Sequence, residues 1–68
     1  MSGTINRFVT NPEGDVDGFI LADGALVHFP PHMSSQLVAL VRRGDAVRIV
    51  GLRDAAGNVS AQQIANER

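Results

Sequence analysis

His28-Phe29-Pro30-Pro31-His32 is the stretch on which the fold turns. Neither proline can donate to a β-ladder and each biases its predecessor toward extended geometry, so a strand ends here and the chain changes direction. On the N-terminal side, Ala25 to Phe29 reads as a strand, with Ala25, Val27 and Phe29 on one face and Leu26 and His28 on the other. On the C-terminal side, Ser34 or Ser35 can cap a helix whose Met33, Leu37, Leu40 and Val41 form one apolar stripe. Arg42 and Arg43 are expected in its last turn, where cations oppose the negative end of the helix dipole, and Gly44 is the expected stop.

Outward from this corner the punctuation is regular. Asp23-Gly24 between two apolar runs predicts a tight hairpin of type I′, and Val16 to Ala22 is its first strand. Asn11-Pro12-Glu13-Gly14-Asp15 supplies turn chemistry before it. Gly3 to Asn11 is strand-like in residue type, but Ile5 and Phe8 would point to opposite faces of a regular strand, so either a bulge or a bend is expected. Beyond the helix, Ala46 to Leu52 alternates, with Val47 and Ile49 on one face and Arg48 and Val50 on the other. Asp54-Ala55-Ala56-Gly57-Asn58 is a loop, Val59 to Ile64 a final strand, and Asn66-Glu67-Arg68 an expected frayed end. The predicted order is strand, strand, strand, helix, strand, strand in a single domain over residues 1–68.

A chain of 68 residues buries about 60% of its unfolded surface, so the core is small. Hydrophobic content of 44% fits a globular chain, and the absence of cysteine leaves packing or self-association as the source of stability. Met1-Ser2-Gly3-Thr4 lacks the runs of a signal peptide, and no apolar stretch approaches the roughly 20 residues that span a bilayer, so a cytoplasmic chain without a membrane partner is expected. Six basic residues, all arginine, face seven acidic ones. Up to Val41 the acids dominate; after it Arg42, Arg43, Arg48, Arg53 and Arg68 outnumber Asp45, Asp54 and Glu67. That permits a local anion-binding patch without a global positive field.

Five strands with one helix between the third and fourth is the order of the OB-fold, a small Greek-key barrel. In Gly3-Thr4-Ile5, Asn11-Pro12-Glu13-Gly14, Asp17 to Gly24, Val27 to His32, Gly44 to Gly51 and Gly57-Asn58-Val59, the chain resembles small bacterial OB-fold proteins of uncharacterised or nominal nucleic-acid-binding type. The resemblance spans nearly the whole chain. It implies oligonucleotide binding across the second and third strands and the flanking loops, and no enzymatic activity.

On that expectation, Phe19, Phe29 and His28 are the candidate stacking residues, with Phe8 less favoured, and Arg7, Arg48 and Arg53 the candidate phosphate partners for single-stranded DNA or RNA. The same phenylalanines are the bulkiest apolar groups available to a small core, and Asp15, Asp17 and Asp23 beside the second strand would repel phosphate. His28 and His32 are four apart, but the intervening prolines forbid the helix that would make this a zinc-binding pair. They read instead as posts that fix the corner by hydrogen bonds to backbone. No nucleophile with an acid and base partner and no glycine-rich phosphate cradle is present, so no catalytic residue, metal or cofactor is assigned. The competing expectation is a protein-interaction or self-associating module.

Overall fold

The computed structural model describes residues 1–67, leaving aside the side chain of Pro31. Arg68, part of the expected frayed end, lies outside the described residues. The elements are β1 (Ser2–Thr10), β2 (Val16–Leu21), β3 (Leu26–His28), α1 (Pro31–Leu40), β4 (Ala46–Arg53) and β5 (Val59–Asn66), the expected order. β1 pairs antiparallel with β2 and β4, β2 with β3, and β4 with β5, while β3 runs parallel to β5. The order β1-β2-β3-β5-β4 thus returns to β1 and closes one five-stranded sheet as a barrel.

Two irregularities let the sequence pattern meet the interior. Ile5 pairs with Leu21 and Arg7 with Ile20, so Asn6 is an extra residue and the expected bulge is present. With it, Ile5 and Phe8 both turn inward. Val50 pairs with Gln63 but Gly51 with Ala61, which makes Gln62 extra and returns Ile64 to the core side after Val59 and Ala61. The interior is filled by Phe19, Ile5, Leu21, Ile49, Val27 and Val47, each under 2% exposed. Burying one such side chain stabilises the fold by about 1.5–3 kcal/mol.

The helix departs from expectation at both ends. Pro30 is its N-cap, with no side-chain cap bond, because prolines already set the backbone angle of the first turn. The Ser34 hydroxyl instead donates to the Val16 carbonyl at 2.6 Å, tying α1 to β2. The helix ends at Leu40; Val41 is extended (φ −128°, ψ 152°) and 2% exposed, so the chain leaves the helix in order to bury it. Arg42 and Arg43 therefore lie in the following turn, where the Arg42 N–H donates to Asp45 Oδ2 at 2.9 Å. Leu37 faces the core, but Leu40, expected in the same stripe, is 71% exposed.

The Asp23-Gly24 hairpin is also corrected. Only Gly24 has positive φ (93°), not Asp23, which rules out type I′. The Gly24 N–H donates to the Leu21 carbonyl and the Leu21 N–H to Ala25, each at 2.9 Å, giving a three-residue loop with glycine in its last, left-handed position. Asn11 to Asp15 and Asp54 to Asn58 repeat the same backbone pattern. Asn66, expected to fray, pairs with Val47 in β5. Among the described residues no helix is long and apolar enough to cross a membrane.

Candidate nucleic-acid interface

Register decides which side chains face out. Phe8, Phe19, Val27 and Val59 lie in one row across β1, β2, β3 and β5 and pack inward. Successive side chains on a strand alternate, so the flanking rows face solvent. One runs Arg7, Ile20, Leu26; the other Val9, Gly18, His28, Ser60, Leu52. Arg7 and His28 are thereby brought to one outer face, both exposed, on either side of β2, with the half-buried Ile20 on β2 between them and the half-buried Leu26 beside His28 on β3. Gly18 permits this close packing, since a Cβ there would run into the Val27 carbonyl oxygen.

The other candidates are not part of that face. Arg48 pairs with Ser2 of β1 and Ala65 of β5, so it stands on the outer side of β4, around the barrel. Arg53 lies at one barrel end beside the Asp23–Ala25 and Ala56–Asn58 loops, and its guanidinium donates to Met1 Sδ at 3.4 Å. Phe19 and Phe29, expected as stacking rings, are core residues at 0% and 5% exposure. Phe19 is the central ring, with Phe8 edge-on at 6.2 Å and Phe29 tilted at 6.1 Å. Without Trp or Tyr, the barrel has only its three phenylalanines as large aromatics with which to fill itself, which is why these rings are inside. His28 is left as the one well-exposed aromatic among the candidates.

Three of the seven carboxylates, Asp23, Asp45 and Asp54, serve as turn acceptors. Asp54 Oδ1 accepts the N–H groups of Ala56 and Asn58, each at 2.9 Å, and in the first hairpin the amide oxygen of Asn11 accepts those of Glu13 at 3.1 Å and Asp15 at 2.9 Å. Asp23 Oδ1 accepts the Ala25 N–H at 3.0 Å. The signal was present in the sequence as an Asn or Asp three residues ahead of glycine at 11 and 54, the pattern of an Asx turn. By contrast, none of the arginines forms an ion pair among the described residues.

No family model, curated protein or solved structure matches the chain.

Two further features bear on chemistry. A cleft between the β1–β2 loop and α1 is lined by Asn11, Asp15, Asp17, Ser34, Ser35 and Val38, and Asp17 Oδ1 is buried beside it without a hydrogen-bond partner among the described residues. Neither there nor elsewhere among the described residues do three or more metal-ligating side chains converge. His28 and His32 are both exposed and their imidazoles make no hydrogen bond among the described residues, so the expectation that these side chains fix the corner is not met. The corner is held instead by the Phe29 N–H donating to the Asp17 carbonyl at 3.2 Å, the Met33 N–H to the Pro30 carbonyl at 2.9 Å, and the Ser34 hydroxyl to Val16.

Proposed function

We propose that the protein is an OB-fold binding module that holds single-stranded nucleic acid weakly on the outer face of β1, β2 and β3. The closed order β1-β2-β3-β5-β4, with the helix between β3 and β4, supports the OB assignment. The observation that carries the binding is the segregation of charge: Arg7 stands on this face with no carboxylate partner among the described residues, while Asp23, Asp45 and Asp54 are engaged by turn amides. Arg7 meets a phosphate, His28 offers the one ring for a base, and Ile20 and Leu26 form an apolar floor beside them. With the phenylalanines inside, little stacking energy is available and the affinity is mainly electrostatic.

Fluorescence anisotropy of labelled oligothymidylate and oligouridylate tests this at low salt, where the electrostatic contribution is largest. Binding should weaken with added salt, and Arg7→Ala should lower the slope of log K against log salt by about 0.7, the value for one phosphate contact on a single strand. An unchanged anisotropy at the lowest salt overturns the proposal. A second reading, a protein-interaction or self-associating module, is favoured by the 51% exposed Val50 and 69% exposed Leu52 on the outer side of β4.

A further inference from the structure

We infer that the Gly51–Arg53 segment of β4 is an open strand edge that pairs with the same segment of a second copy of this chain. The inference makes the second reading specific. On the β1 side, β4 is covered through Ala46, Val47 and Arg48 by Thr4, Gly3 and Ser2. The cover continues to Ile49, whose N–H donates to the Met1 carbonyl and whose carbonyl accepts the Met1 ammonium, both at 2.6 Å. The odd-numbered Ile49 thus directs its backbone groups to the β1 side. Ala46 and Asp54 direct theirs to the β5 side, bonding Glu67 and Asn58. The bulge at Gln62 belongs to β5, so the alternation along β4 is unbroken. Gly51 and Arg53 therefore point their N–H and C=O groups away from β5, where no described strand meets them. Both residues are exposed, as is Leu52 between them.

An edge of this kind is a template for another strand, and its sequence fits itself. In an antiparallel pair centred on Leu52, Gly51 of each copy opposes Arg53 of the other, so no like charges face each other. Gly51 and Arg53 become the hydrogen-bonded pairs, because their backbone groups are the ones directed outward. Leu52 then opposes Leu52 at the non-hydrogen-bonded position, where side chains approach most closely and the exposed leucine is covered. Two residues further along the same outer face, Val50 meets Asp54 of the second copy, and Arg48 becomes its diagonal neighbour. Asp54 uses only Oδ1 on its own turn, which leaves the other oxygen for that arginine.

Sedimentation velocity over a concentration series, with amide hydrogen exchange at both ends of it, tests the pairing on the intact chain. The expected result is a monomer–dimer equilibrium in which the Gly51 and Arg53 amides become protected as the dimer fills. Leu52→Lys, which places two ammonium groups at the dyad, should raise the dimer dissociation constant about tenfold or more. A monomer at every concentration overturns both this inference and the self-association reading. A dimer that leaves the two amides unprotected, or that Leu52→Lys does not weaken, overturns the edge alone and leaves self-association through another face. If Leu52→Lys does not fold, the exchange of the unaltered chain decides by itself.

Discussion

Gly18 and Phe19 are neighbours on β2 with opposite requirements: one must have no side chain because the Val27 carbonyl occupies the space, the other must be large because the centre of the barrel is otherwise empty. Phe19 touches both other phenylalanines and is fully buried. Phe19→Ala should cost about 3–5 kcal/mol, a large part of what a chain this size has, and urea denaturation should show it largely unfolded without denaturant. A Phe19→Ala protein that stayed folded and lost oligonucleotide binding would restore the ring to the surface role that its residue type also allowed. This ambiguity is why the site was only partly legible at the residue scale. Residue type marks a phenylalanine as useful in either place, and only the closing of the sheet decides which; for Arg7 and His28, polar residues on strands, residue type alone favours the outside.

At the scale of elements, turn chemistry was the most legible part of the chain and the helix ends the least. Turns are closed by residues within five positions, whereas α1 stops where a distant core needs Val41. The arginines after it satisfy a local helix rule, yet Asp45 holds them in a turn through the Arg42 amide, a bond that the dipole argument does not consider. The Asp23-Gly24 loop differs from the expected type for a related reason: the dipeptide suits two loop lengths, and the Ala25 amide on Asp23 Oδ1 selects the longer. The β4–β5 loop makes the role of such acids measurable. Asp54→Ala removes the acceptor of two amides and should lower stability by about 1–2 kcal/mol, read from the urea midpoint. Asp15→Asn, at an exposed acid whose side chain makes no hydrogen bond among the described residues, should change it by less than about 0.5 kcal/mol. Equal effects of the two would mean that net charge, and not turn geometry, governs stability here.

For the whole molecule, the order of elements is readable and a barrel is expected from it, but the register that closes the ring is not, because closure joins β1 to β4 and β3 to β5 across long separations that no local pattern records. The ring is uneven. β4 and β5 are matched at seven register positions, whereas the parallel β3–β5 seam is matched at only Val27–Val59 and His28–Ser60. Parallel ladders are also slightly weaker per residue than antiparallel ones, and β3 is the shortest strand, ended by prolines that cannot donate. Local opening free energies follow this kind of imbalance, so the barrel should breathe at the β3–β5 seam while the β4–β5 hairpin remains closed. Native-state hydrogen exchange reads this directly. Amides bridging β3 and β5 should exchange through a local opening well below the global unfolding free energy, and those between Val47–Ile49 and Ile64–Asn66 should exchange only with global unfolding. The proposed nucleic-acid face contains β3, so a bound oligonucleotide that contacts His28 should slow exchange at this seam first. Protection that appeared instead only along β4 would move the binding surface around the barrel to Arg48.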